Sequence, residues 1–220
     1  MKKIAICYKG VFNLNKVSQG IVDESLLYDI KNNLDDHRAK MFNYFDGDQV
    51  DYYFSTYDLS NEIDTIYKET LKPVYYGYIP TALSPAHTWN SQLKHYKNLI
   101  HQIRNRMDMT RDLYDTIIFT RPDLKLLQNF SELDIDFSKF NIVVKHLSGN
   151  CDDNLFILPL KYLDIFSESI DELCENNRIT HEINHALEKR GAQINYLSVY
   201  APNLQPDGID YGQPIWTIFR

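Results

Sequence analysis

Residues Tyr114–Leu127 read YDTIIFTRPDLKLL, a short β-branched and aromatic run that stops at Arg121-Pro122-Asp123. Thr, Ile and Phe in unbroken succession predict a buried strand over Thr116–Thr120, and Pro122, which has no N–H to give to a ladder, ends it. A cation and a carboxylate are thereby placed where a buried strand meets solvent. In an open α/β sheet, ligands gather beyond the carboxyl ends of the strands, and a carboxylate there can hold a divalent metal that bridges phosphates. The same residues also suit an ordinary strand end in which Asp123 caps a turn.

Working outward, Lys3–Tyr8 (KIAICY) predicts an N-terminal strand running into Lys9-Gly10, without the GxGxxG of a dinucleotide site. Leu26, Leu27, Ile30, Leu34, Met41 and Phe42 recur near helical spacing, giving one or two helices from Asp23 to about Phe45, stopped by Gly47. A second strand, Asp51–Thr56, ends in Thr56-Tyr57-Asp58; Leu71–Pro85, with Pro73, Pro80 and Pro85, reads as a loop or edge strand. Leu93, Tyr96, Leu99, Ile100, Ile103 and Met107 predict a long helix over Ser91–Arg111. Further strands are expected at Asn141–His146, Leu155–Pro159 and Ile194–Tyr200, with helices at Leu160–Glu175 and Thr180–Arg190, the last capped by Thr180. Alternating strands and helices without a repeat or linker predict one α/β domain over residues 1–220, with a mainly parallel central sheet flanked by helices. Its ligand rim would gather the polar strand ends Tyr8-Lys9-Gly10, Thr56-Tyr57-Asp58, Thr120–Asp123 and Asp152-Asp153-Asn154.

A chain of 220 residues with 44% hydrophobic content can bury a sizeable core. Its net charge of −7 and dispersed Lys and Arg argue against a nucleic-acid partner, which demands clustered cations. No apolar run approaches the roughly 20 residues needed to cross a bilayer, and MKKIAICYKG has too short an apolar core for a secretory signal, so no stable membrane insertion and a cytoplasmic location are expected. Cys7, Cys151 and Cys174 are odd in number and widely spaced, which fits reduced thiols. The 16 Tyr and 11 Phe, against 2 Trp, suit packing first and sugar or base stacking second.

Two constellations remain. Asp152 and Asp153 sit in a polar turn before a strand, from which a carboxylate can project into a cleft as a general base. His181-Glu182-Ile183-Asn184-His185 matches the HExxH pattern of a zinc metalloprotease, but no histidine follows His185 as a third ligand.

The segments KIAICYKG, DYYFSTYD, YDTIIFTRPDLKL and NCDDNLFILPLKYLDIF, followed by the helix bearing His181 and His185, together resemble the small GT-A-type glycosyltransferases, including those of large DNA viruses of algae and of capsule-building bacteria. The resemblance implies a GT-A-like, Rossmann-like fold and a donor that is a nucleotide-diphosphate sugar, a UDP-sugar being expected. In that family an Asp-x-Asp at a strand end binds manganese, or magnesium, and through it the diphosphate. Here Arg121 stands at the first aspartate, so Asp123 alone would keep the metal role while the planar fork of Arg121 could meet the diphosphate directly. By the same resemblance Tyr8, Lys9 and Gly10 would lie against the nucleotide, Thr56 and Asp58 near the base or ribose, and His181 and His185 beside a glycan or glycolipid acceptor. Asp153, with Asp152 as substitute, would serve as the base of an inverting transfer. The lost first aspartate also permits a binding protein of the same fold without turnover.

Overall fold

The computed structural model describes residues 1–10, 22–57, 60–79, 88–146, 149–198 and 216–218, with the side chains of 88–91 and 216–218 left aside. Chain order gives β1 (Lys3–Lys9), α1 (Glu24–Lys40), β2 (Gln49–Thr56), α2 (Asn61–Leu71), β3 (Tyr75–Tyr78), α3 (Thr88–Thr110), β4 (Thr116–Thr120), β5 (Leu124–Leu126), β6 (Phe140–Val144), β7 (Phe156–Pro159), α4 (Leu163–Glu175), α5 (Ile183–Lys189), β8 (Ile194–Ser198) and β9 (Trp216–Ile218). Seven strands form one sheet in the order β3-β2-β1-β4-β7-β6-β8. All its pairings are parallel except those of β7, which runs antiparallel to both β4 and β6. β5 and β9 pair separately, antiparallel.

The sheet is covered on both faces, and strand alternation decides which residue goes where. On β1, Ile4, Ile6 and Tyr8 join the core under α1 and α2, with Leu26, Ile30, Leu34, Ile63 and Tyr67. Ala5 and Cys7 face the other way, into a core built with Leu93, Tyr96, Leu99, Phe166, Ile170 and Leu187 of α3, α4 and α5. Tyr96 packs edge-on to Phe119 and Phe166 and stacks on Phe156, an aromatic block that fixes α3 and α4 against β4 and β7.

Several local expectations change. The first helix ends at Lys40, before the 3-10 turn Phe42–Phe45, and Asp23 caps its start by accepting the Leu26 N–H at 2.8 Å. α2 was not anticipated, although Ile63, Ile66, Tyr67 and Leu71 bury one face and Ser60 caps it. The expected helix Leu160–Glu175 opens as a 3-10 turn over Leu160–Tyr162 before α4. Thr180 does not cap a helix: Thr180–Glu182 is a 3-10 turn preceded by Ile179, and α5 begins only at Ile183. His181, Glu182 and His185 therefore do not share one α-helical face, Glu182 is held by Arg178 at 2.6 Å, and the zinc-protease reading loses its geometry. Among the described residues no helix is long and apolar enough to cross a membrane.

Candidate functional site

β1 continues through α1 to β2 and β3 on one side of the sheet, while β4 joins β1 on the other, so the strand order reverses between β1 and β4. Beyond the carboxyl ends of such a pair lies the crevice in which open α/β sheets bind ligands. The register pairs Tyr8 with Thr120, which brings Lys9 and Arg121 to neighbouring positions at its mouth. β7 arrives antiparallel, with Phe156 opposite Phe119, so the segment preceding it carries Asp152, Asp153 and Asn154 to the same place.

The charged residues there form one group, buried except for the partly exposed side chains of Arg121 and His181. Arg121 donates from Nε to Asp123 Oδ1 at 2.8 Å and from Nη2 to Asp123 Oδ2 at 2.6 Å, a bidentate pair, and from Nη1 to Asn154 Oδ1 at 3.2 Å. Asp152 accepts from the Asn154 backbone N–H at 2.7 Å and from its side chain at 3.3 Å. Asp153 accepts the Thr180 hydroxyl on Oδ2, its backbone carbonyl accepts the Tyr96 hydroxyl at 2.8 Å, and His181 Nδ1 lies 3.6 Å from Oδ1. His181 Nδ1 also lies 2.9 Å from the Cys151 carbonyl, which can only accept, so Nδ1 carries the proton. Lys9 follows Ala5 and Cys7 onto the α3 face and sets its ammonium 4.8 Å from the centre of the Tyr96 ring. It is 2% exposed, and among the described residues no carboxylate lies within ion-pair distance of it.

These neighbours move the titrations in opposite directions. Burial pulls the Lys9 ammonium down to about 8, against the attraction of Asp153 and with the help of Arg121. Burial and then the Asp153 charge push the Asp152 carboxyl up to about 6. Asp153 is equally buried, but Lys9, His181, the Thr180 hydroxyl and Arg121 outweigh desolvation and hold its carboxyl below the ordinary range. Burial lowers the Arg121 guanidinium, but Asp123 together with Asp153 and Asp152 outweighs it and leaves it raised.

The structure thus gathers Lys9, Arg121, Asp123, Asp152, Asp153 and His181, and it separates others. Tyr8, expected against a nucleotide, turns to the opposite face of the sheet, where its hydroxyl meets His37 Nδ1 at 2.7 Å and its ring stacks between His37 and Phe54. Its place is in the core beneath α1. Gly10 leaves β1 at φ +87°, a conformation that favours glycine, with its N–H on the Ser55 carbonyl at 2.9 Å. Thr56 ends β2 fully buried; its hydroxyl and His95 Nε2 lack a hydrogen-bond partner among the described residues. Asp58 lies outside the described residues. His185 is exposed and sits within 4 Å of the space beside Gly149. Three residues take roles other than those the sequence suggested: Thr180, read as a helix cap, orients Asp153; Asn154, read only as part of a polar rim segment, bridges Asp152 and Arg121; and Tyr96, whose helical spacing with Leu93 and Leu99 marked it as core, donates to the Asp153 carbonyl.

No protein-family model matches the chain, and no curated protein matches it significantly. Solved structures do. The crystal structure of a candidate nucleotide-diphospho-sugar transferase from Desulfovibrio desulfuricans superposes with a TM-score of 0.50 at 9% identity, over 90% of this chain and 80% of that one. The chain has the fold of a nucleotide-diphospho-sugar transferase. The apo-form glycosyltransferase GlyE of Streptococcus pneumoniae also matches, with a TM-score of 0.44 at 11% identity, over 89% of this chain and 45% of that one.

For a transferase fold of this kind a metal held by Asp123 is the sequence expectation, and the donor set does not fit it. Both Asp123 oxygens already accept from the Arg121 fork, and Asp123 is 3% exposed. Among the described residues no group of three or more His, Cys, Asp and Glu is placed to hold a metal ion. Freeing Asp123 for manganese or magnesium would break its bidentate pair with Arg121.

Proposed function

We propose that the protein is a glycosyltransferase that moves a sugar from a nucleoside-diphosphate sugar, a UDP-sugar, to a hydroxyl of a glycan or glycolipid acceptor with inversion at the anomeric carbon. The observation that supports this most is the cluster of buried Lys9, Asp152 and Asp153 with the partly exposed Arg121 at the reversal point between β1 and β4, in a sheet of nucleotide-diphospho-sugar transferase type. Departure of a diphosphate needs positive charge in a low-dielectric setting, where preformed donors act without reorganising. Lys9 and the outer edge of Arg121 supply it. The acceptor hydroxyl must lose a proton as its oxygen attacks, and the leaving diphosphate takes the electron pair of the broken glycosidic bond.

In this reading Asp153 acts as base through His181: the acceptor's proton passes to the imidazole, and Asp153, kept ionised by its depressed titration and held by the Thr180 hydroxyl, stabilises the imidazolium that forms. Asp153 is 2% exposed, whereas the His181 side chain is 31% exposed, so the imidazole is the part of the pair that an acceptor can meet. Asp152 is tied on both oxygens to Asn154 and serves the cluster as a partly neutral neighbour. His185 and Gly10 border the site rather than enter its chemistry.

The test is calorimetric titration with a panel of UDP-, GDP- and dTDP-sugars. Saturable binding of one nucleotide class, lost in Lys9→Met, is expected. A panel without binding overturns the reading. Binding without consumption, in the presence of any hydroxyl acceptor tried, would favour a nucleotide-sugar-binding protein of the same fold.

A further inference from the structure

The crevice contains hydrogen-bond donors that the protein itself does not use. A guanidinium has five N–H groups, and three of those of Arg121 are spent on Asp123 and Asn154. The two that remain lie on its terminal nitrogens, Nη1 and Nη2. The side chain of Arg121 is 24% exposed and that of Asp123 only 4%, so the pair presents its arginine to the crevice and hides its carboxylate. At the neighbouring register position, Lys9 holds a buried ammonium over Tyr96 with no acceptor among the described residues.

A buried ammonium without a contact ion pair is unfavourable, because the more distant charges of Asp153, Asp123 and Asp152 repay its desolvation only in part. An anion delivered to the crevice would repay it. The same anion would meet the free edge of Arg121, whose planar donors match phosphate oxygens. A divalent cation would meet two fixed positive charges, and the carboxylates there are already engaged: Asp123 by Arg121, Asp152 by Asn154, and Asp153 by Thr180 with His181 beside it.

We propose that the diphosphate of the donor is held by Lys9 and Arg121, two cations built into the chain, and that donor binding needs no divalent metal. Asp123 then acts as a positioning residue: it locks the guanidinium with its free edge outward and takes no part in coordination. The inference rests on the nucleotide-sugar reading above and adds to it the source of the neutralising charge.

The experiment is calorimetric titration of chelator-treated protein with UDP and, separately, with inorganic pyrophosphate, each in EDTA and in manganese. Both ligands are expected to bind in EDTA, with affinities in manganese within about twofold. Lys9→Met and the paired change Arg121→Gln with Asp123→Asn should each weaken binding about tenfold or more, the worth of a hydrogen bond to a charged group. The paired change removes the ion pair without stranding the Asp123 charge, which a single substitution of Arg121 would leave unpaired. Binding that requires manganese, or that survives both variants, overturns the inference while leaving the transferase reading in place. Absence of binding by either ligand in both conditions overturns the two together.

Discussion

Replacing Lys9 by methionine separates what the crevice costs from what it does. The ammonium titrates near 8 against an ordinary value of 10.5, because it is buried and only partly compensated by Asp153. A depression of that size corresponds to about 3 kcal/mol of stability withheld from the folded protein at neutral pH. Methionine is unbranched, adapts to the same slot over Tyr96 and carries no charge. Lys9→Met should therefore stabilise the fold at pH 7 by up to about 3 kcal/mol, or roughly 2–4 °C for each kcal/mol in a chain of this size. The sign follows from linkage. Below the folded value of about 8 the penalty is complete. Between there and 10.5 the unfolded chain binds the proton that the folded chain has lost, so the parent gains stability as pH rises. The variant has no such gain. Urea denaturation at pH 7 and at alkaline pH, followed by circular dichroism, measures both quantities. A variant less stable than the parent at pH 7, or one with the same alkaline slope, would refute the reasoning. An expected loss of nucleotide binding in the more stable protein would mark a residue kept for function at the expense of stability.

Nucleotide affinity should fall with pH in two steps, since an anion is repelled as Asp152 ionises near 6 and loses its ammonium as Lys9 deprotonates near 8. Titration of UDP binding from pH 5.5 to pH 9, with proton uptake read from buffers of different ionisation enthalpy, checks this; pH-independent affinity contradicts it. Thr180→Val removes the hydroxyl that Asp153 accepts. It should destabilise the fold by about 1–3 kcal/mol, the cost of an unsatisfied buried acceptor, and raise the Asp153 titration, both measurable by denaturation across acid pH.

Much of this architecture is readable from residue order, and the failures have physical causes. The strand at Thr116–Thr120 and its abrupt stop follow from β-branched residues and Pro122. The spacing of Ile63, Ile66, Tyr67 and Leu71 behind Ser60 carries the signature of α2. The reversed direction of β7 has no signature in its own residues. Only the turn before it, which the Lys145–Cys151 bridge closes into a hairpin-like return, carries that information.

At the site, period-two alternation separates Tyr8 from Lys9, yet a strand buried on both faces looks uniformly apolar and conceals which side meets the crevice. The fork between Arg121 and Asp123 spans two residues, and the chain can as readily aim those groups apart; the third partner, Asn154, is 33 residues away. Thr180 had the residue type and place of a helix cap. Its hydroxyl instead serves Asp153, 27 residues earlier, because tertiary contact supplied a stronger acceptor than the backbone. Lys9 and Asp153 were readable as polar strand-end residues, but their mutual influence on titration exists only after the sheet has formed.

The most direct test of the proposed transfer is release of nucleoside diphosphate from whichever nucleotide sugar binds, measured by mass spectrometry for the parent and for Asp153→Asn. The account predicts release by the parent, accelerated by a hydroxyl acceptor, and its loss in the variant with donor affinity retained. A parent that binds the donor and never consumes it, or a variant that turns over at the parental rate, would contradict the assignment of this crevice as the centre of glycosyl transfer.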